Sequence, residues 1–252
     1  MSPTPDVPPR RLLVFGEDGA VAAAALARRP GLRLVERAPD VVLCHGGDGT
    51  LLRAEREWPG VPKLPVRAAA RSRPCPEHTL DAVLSALVEG RVVPEELGQL
   101  ELRIGDRRLL ALNDVVLRND GPATAVRLRV RAAGLDTGEI TGDGIVVATP
   151  FGSTGYYRSI TRATVSEGLG VAFNNCTEPI EPLHIAGDGP VQVRVLRGPA
   201  VLARDNDPRI VPMRDGHGFV VGLASERALV LGLDALRCQR CRKADGSAFN
   251  AH

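Results

Sequence analysis

Lysine is nearly missing from this chain. Lys63 and Lys243 are the only two in 252 residues, so arginine carries almost all of the positive charge. That skew, beside abundant Ala, Gly and Pro, looks like genomic base composition more than a binding surface. With 32 basic against 30 acidic residues the formal charge is only +2, which calls for neither nucleic acid nor an anionic membrane as a partner. No apolar run approaches the roughly 20 residues that span a bilayer. The opening MSPTPDVPPRR lacks the hydrophobic core of an export signal and reads as a short flexible arm. Five cysteines, an odd number with Cys44 in an apolar run, suit a reducing compartment. The expectation is a cytoplasmic protein.

Three familiar signatures are also missing. No lysine follows a glycine, which excludes the P-loop GxxxxGK[ST]. No GxGxxG follows a strand, so an ordinary dinucleotide-binding Rossmann turn is not expected. GxSxG is absent as well, which removes the simplest hydrolase reading.

What is present alternates. RLLVFG, LRLVE, DVVLC and KLPVR read as strands, separated by helical stretches at residues 19–29, from Leu51 (LLRAEREW), and in EHTLDAVLSALVEG, which Gly90 ends. Short strands alternating with helices predict a parallel α/β sheet. After Gly90 the pattern turns β-rich, with NDVVL, AVRLRVRAAG, GIVVATP, VQVRVL, AVLAR, FVVGL and ALVLGL. The alternation R-L-R-V-R at 127–131 predicts a half-exposed strand with arginines on its wet face. The expected fold is a Rossmann-like α/β domain over residues 11–92 followed by a β-rich, sandwich-like domain over 93–233. Residues 1–10 would be an arm, and 234–252 a tail placed to pack back on the first domain. The active site would lie in the cleft between the domains.

Residues 45–50, HGGDGT, leave an apolar strand through glycines and enter a helix. Such a junction exposes unpaired N–H groups to an anion, and glycine lets a ligand approach because no Cβ intervenes. Asp48 would repel phosphate, so its place in the loop makes sense if it holds magnesium or takes a proton from an attacking hydroxyl. The plainer alternative is a tight turn with Asp48 or Thr50 as the helix N-cap. A second stretch, TGDGIVVATPFGSTGYYRS at 141–159, sets two polar glycine loops around a strand. It offers hydroxyls, open backbone and an aromatic ring for a base or an amide; its alternative is a pair of β-turns with a tyrosine packed on the sheet.

GGDGT, NDVV at 113–116 and TGDG-strand-TPFGSTGYY, in that order, resemble the NAD kinase family over roughly residues 11–235. The resemblance implies phosphorylation of the adenosine ribose 2′-hydroxyl of NAD by the γ-phosphate of ATP. Asp48 would orient and deprotonate that hydroxyl, with Mg²⁺ or another divalent cation carried by the nucleotide. Gly46, Gly47, Gly49, Thr50 and Arg53 would serve the phosphates. Asn113, Asp114, Asp143, Thr154, Gly155, Tyr156 and Ser159 would bind NAD. A homo-oligomer, dimer or tetramer, is implied too. GGDGT alone also marks lipid and diacylglycerol kinases, so a kinase of lipid or sugar-like alcohols is the first rival. A dinucleotide-binding regulator without turnover is the second.

This chain departs from the family pattern in several places. Gly155 stands where alanine is usual, and Phe151 puts a bulky ring beside the expected dinucleotide. Ile160, Thr161 and Arg162 follow Ser159 in place of a Gly-Gly pair, and Asp205 is followed by Asn206 in place of glycine. Most distinct, PVRAAARSRPCPEH replaces the glycine-rich segment after the second helix. It brings Arg67, Arg71 and Arg73 as candidate phosphate contacts, since arginine bonds phosphate oxygens in pairs, although a surface loop is the blander reading. Cys238 and Cys241 form a lone CxxC. Zinc wants four ligands, and with no second cysteine pair in the sequence the two read as ordinary thiols.

Overall fold

The computed structural model describes residues 11–16, 19–68, 75–121, 123–187, 189–238 and 241. The N-terminal arm, Arg71, Arg73 and the tail beyond 241 lie outside them. The chain forms two compact units: residues 1–97 with 228–252, and residues 98–227.

In the first unit β1 (Arg11–Gly16), α1 (Gly19–Ala27), β2 (Arg33–Leu34), β3 (Val41–His45), α2 (Asp48–Glu57), β4 (Lys63–Val66) and α3 (Leu80–Val88) follow in order. The strands are parallel in the order β2-β1-β3-β4. All five residues of β3 and all four of β4 are buried, Lys63 included, and β3 accordingly reads as an apolar run up to His45. Leu12, Val41, Leu43, Leu64 and Val66 of the sheet share a core with Ala22, Ala25 and Leu26 of α1 and Val83, Leu84 and Leu87 of α3. Thr79 starts α3 by accepting the Ala82 N–H at 3.2 Å, an N-cap whose loss costs about 1 kcal/mol.

The second unit is antiparallel. Its strands are β5 (Pro94–Ile104), β6 (Arg107–Ala111), β7 (Asp114–Asn119), β8 (Val126–Ala132), β9 (Leu135–Asp136), β10 (Ile140–Gly142) and β11 (Gly144–Ala148). After α4 (Tyr156–Thr161) come β12 (Leu169–Asn174), β13 (Leu183–Ile185), β14 (Val191–Arg197), β15 (Ala200–Arg204), β16 (Val211–Met213) and β17 (Gly218–Leu231). One sheet runs β13-β12-β11-β7-β15-β16. The other contains β10-β8-β14-β17, and residues of both, such as Val115, Ile145 and Val171 with Leu128, Val193 and Val221, fill one core. The alternation in β8 places Val126, Leu128 and Val130 inward and its arginines outward. There Arg127 pairs with Glu139, and Arg129 and Arg131 with Asp136.

β17 ends in the first unit, where Val230 pairs in parallel with Lys63 of β4. The short helix α5 (Asp234–Arg237) follows.

Candidate functional site

In the first unit, β3 delivers HGGDGT to the start of α2, three residues earlier than the apolar pattern suggests. Gly47 is the N-cap and has no side-chain cap bond, so neither Asp48 nor Thr50 caps the helix and their side chains remain available. The tight turn closes through backbone alone: Gly46 N–H donates to Val66 O at 2.8 Å and Thr50 N–H to Gly47 O at 3.0 Å. A Cβ on Gly46 would lie 2.1 Å from Thr50 Oγ1, whereas one on Gly47 or Gly49 would meet nothing within 4 Å. The first glycine is thus needed for packing and the other two leave the approach open. Asp48 and Gly49 are exposed in the first turn, where helix N–H groups have no intrahelical partner.

The far end of α2 explains how that loop is held. Lys63 is fully buried on β4; its ammonium donates to the Trp58 carbonyl and pairs with Glu55, itself buried. A cation at the helix C-terminus complements the helix dipole, so α2 is pinned to the sheet below its active-side turn. Burial lowers the Lys63 pKa, against the pull of Glu55. The nearby Cys44 thiol is pushed up to about 12, mainly by burial, and is no nucleophile. His45 is buried. Arg53 is exposed and rests on Phe15, 4.3 Å from the ring centroid. Arg67 is committed elsewhere, donating from Nη2 to the Leu236 carbonyl at 2.8 Å.

In the second unit, Asn113 and Asp114 open β7 around one acceptor that sequence reading noted only as a departure from the family pattern. The Asp205 carboxylate takes the backbone N–H groups of Leu112 (2.7 Å), Asn113 (2.7 Å) and Asp114 (3.2 Å). Asp205 and Asn206 both have positive φ, 47° and 54°. Asn tolerates this left-handed region better than most residues, so Asn206 fills a position suited to glycine. Asn113 Nδ2 donates to Asp114 Oδ2 at 2.9 Å. Burial first, and the Asp205 charge second, raise Asp114 to about 7; burial also raises Asp205.

The TPFGSTGYY stretch locks onto the same point. Thr149 Oγ1 donates to Leu112 O at 2.7 Å and accepts the Gly152 N–H at 3.0 Å. A Cβ on Gly152 would sit 1.9 Å from Asn113 O, so glycine alone permits this contact. GSTGYYRS is no loop: a 3-10 turn at Gly152–Thr154 leads directly into α4. Phe151 is buried instead of standing free beside a ligand. The two tyrosines divide as a helix requires. Tyr157 packs with Val146, Ala148 and Ala172 on the sheet, while Tyr156 stays exposed and its hydroxyl accepts from Asn174 Nδ2 at 3.2 Å.

Thr154, Gly155 and Ser159 line an open cavity of about 470 Å³ together with Arg158 and Arg162. Those two arginines, a ready pair for an anion, escaped sequence reading because only the tertiary cavity unites them with the motif. The structure thus gathers Asn113, Asp114 and Gly155, whose added Cβ would lie 3.8 Å from Asn113 Nδ2. Asp143 stands apart. Ala148 pairs with Asp114, while Gly144 pairs with Arg118 and Asn174, so Asp143 sits at the other end of β11, roughly 17 Å away at about 3.4 Å per residue. Asn175 Nδ2 holds its carboxylate at 3.0 Å. A single ribose cannot touch both Asp114 and Asp143 of one chain.

Against known proteins, no family model matches the chain. An NAD kinase from Sulfurisphaera tokodaii is 34% identical over 166 residues, covering 62% of each chain. One from Gemmatimonas aurantiaca is 31% identical over 220 residues, 81% of this chain and 76% of that one. The chain belongs to the NAD kinase family. The fold agrees with this: the crystal structure of an NAD kinase from Archaeoglobus fulgidus in complex with ATP superposes with a TM-score of 0.72 at 21% identity, over 90% of this chain and 96% of that one. Yeast NADH kinase complexed with NADH gives 0.73 at 15% identity, over 92% and 88%. Two units, one α/β and one antiparallel, are therefore the NAD kinase arrangement of elements. No described helix is long and apolar enough to cross a membrane.

Proposed function

We propose that this protein transfers the γ-phosphoryl group of ATP to the adenosine ribose 2′-hydroxyl of NAD, giving NADP. Family membership supports the reaction. The observation that carries the assignment to this chain is the exposed carboxylate of Asp48 at an uncapped helix start, flanked by two glycines that leave open space. In this reading Asp48 supplies the phosphoryl-transfer group, and Asn113 and Asp114 the grip on the nucleoside.

Asp48 accepts the proton of the 2′-hydroxyl as that oxygen attacks, and holds it in line. The N–H groups at the start of α2, with Thr50, face the phosphates; Arg53 stands one turn further along the same helix. Asn113 offers a donor and an acceptor to a base edge, and Asp114 an acceptor to a ribose hydroxyl. A divalent cation such as Mg²⁺ would be carried by the nucleotide phosphates, which are hard oxygen ligands. When bound with the nucleotide it supplies neutralisation of the phosphate charge. Arg158 and Arg162 are further candidates for dinucleotide phosphate, as are Arg71 and Arg73 of the segment that departs from the family pattern, whereas Arg67 contributes through its hold on α5. Assembly into a homo-oligomer and placement in the cytoplasm belong to the same proposal.

NADP formation from NAD, ATP and Mg²⁺, followed with an NADP-specific dehydrogenase, tests it. The wild type should turn over. Asp48→Asn should lose about 10²–10⁴-fold in kcat, the scale of general base catalysis, with unchanged melting. NAD binding without NADP formation would leave the regulator as the reading, and turnover of lipid or sugar alcohols would favour the other kinase.

A further inference from the structure

Four metal-ligand side chains that the reaction does not use come together in the first unit. Cys75 and His78 flank the 3-10 turn Pro76–His78 ahead of α3; Cys238 and Cys241 follow α5. Their ligand atoms all lie within 4.8 Å of one another. From this geometry we propose that Cys75, His78, Cys238 and Cys241 bind one structural Zn²⁺ ion.

The distances are close to those of a tetrahedral zinc site. Zn–S of about 2.3 Å and Zn–N of about 2.0–2.1 Å imply S···S edges of about 3.8 Å and S···N edges of about 3.6 Å for a tetrahedron of these ligands. Cys75 Sγ is 3.8 Å from Cys238 Sγ and 3.5 Å from Cys241 Sγ; His78 Nδ1 is 3.1 Å from Cys75 Sγ and 3.5 Å from Cys241 Sγ. Disulfide sulfurs would sit about 2.05 Å apart, and none of these cysteines is in a disulfide.

Two further contacts fit a metal better than a chance gathering of thiols. His78 Nε2 lies 3.0 Å from Asp234 Oδ2. A carboxylate on the outer ring nitrogen leaves the Nδ1 lone pair facing the sulfurs, the support that metal-bound histidines usually have. The Cys75 backbone N–H donates to Cys241 Sγ at 3.3 Å, a bond that stabilises a thiolate. The ligand spacing, CxxH in CPEH and CxxC in CQRC, also suits zinc. Four protein ligands leave no open coordination position, so the site is structural. It joins residues 163 positions apart and fixes the end of the chain to the connection that here replaces the glycine-rich segment of the family. Arg67 reinforces the same junction from the Leu236 carbonyl.

The test uses the full chain purified under reducing conditions without chelator. Elemental analysis should find one zinc per chain, and thiol reagents should reach Cys75, Cys238 and Cys241 only after a strong chelator is added. Apoprotein titrated with Co²⁺ should show the intense visible bands of a tetrahedral site and thiolate-to-cobalt charge transfer. Cys75→Ser and Cys238→Ser should lose the zinc, His78→Cys should keep it, and Asp234→Asn should weaken it by about 10–100-fold. Wild-type protein with no zinc and no tetrahedral cobalt spectrum would overturn the proposal, even where a cysteine variant fails to fold. So would an intact mass two hydrogens light, which marks a disulfide among these cysteines.

Discussion

The Asp205 carboxylate reaches across from the end of β15 and accepts three consecutive backbone N–H groups, those of Leu112, Asn113 and Asp114. It thereby sets the pose of the two side chains proposed to hold the nucleoside. Asp205→Ala leaves three backbone amides, two of them buried, without this acceptor. Hydrogen bonds to charged groups contribute about 1.5–3 kcal/mol each, and relief of the Asp114 repulsion returns part of that. The expected outcome is a loss of at least about 2 kcal/mol in urea denaturation, with NAD affinity falling further than stability alone explains. A stable variant with unchanged NAD binding would refute the positioning role.

Asp114 gives NAD binding a pH dependence. Its pKa of about 7 means the carboxylate, the acceptor form, fills in as pH rises through neutrality. Calorimetric NAD affinity, measured without ATP so that no donor phosphate titrates, should increase across that window. Asp114→Asn should flatten the profile, and Asp205→Asn should move its midpoint to lower pH by removing the neighbouring charge. The stability linkage has the opposite sense. With the folded pKa raised above the ordinary carboxyl value of 3.8, this group's favourable contribution is complete below that value and is lost as pH climbs to about 7.

The glycines of TPFGSTG should separate sharply on substitution. Gly152→Ala drives a Cβ to 1.9 Å from Asn113 O, while Gly155→Ala meets nothing closer than Gly152 O at 3.4 Å. Gly152→Ala should cost about 1–3 kcal/mol or more and abolish NAD binding; Gly155→Ala should keep both. Circular dichroism melts and NAD titrations of the two variants check this, and equal behaviour would show that the turn relaxes freely.

Lys63 and Glu55 are coupled beneath α2. Lys63→Met strands the Glu55 charge in the interior, which costs about 3–5 kcal/mol. The double variant Lys63→Met with Glu55→Met should recover most of that in chemical denaturation, since apolar replacement of a buried pair is often near neutral. Failure of the second substitution to rescue would place the main role of Lys63 at the Trp58 carbonyl.

The motifs GGDGT, NDVV and TGDG-strand-TPFGSTGYY were enough to indicate the family and most of the candidate site, because phosphate approach, base contact and tight backbone packing need particular residues at fixed local spacing. The strands were equally legible: β3 by its apolar run, β8 by its period of two. Local pattern could not announce contacts between distant segments. α4 was hidden in a stretch whose glycines and hydroxyls look like a loop, and its helix forms because Tyr157 gains a sheet to pack on. Asp205 stood out only because Asn206 follows it where glycine is usual, and the fold places its carboxylate among the amides of residues 112–114. Arg67 resembled a phosphate ligand in isolation, yet the nearby end of α5 claims it. Cys238 and Cys241 lacked partners along the sequence, and Cys75 and His78 supply them from 163 residues away. The sequence by itself indicated the family, since that is written in short motifs. Only the tertiary structure decided which side chains hold those motifs in place, because burial and long-range hydrogen bonding are properties of the folded packing.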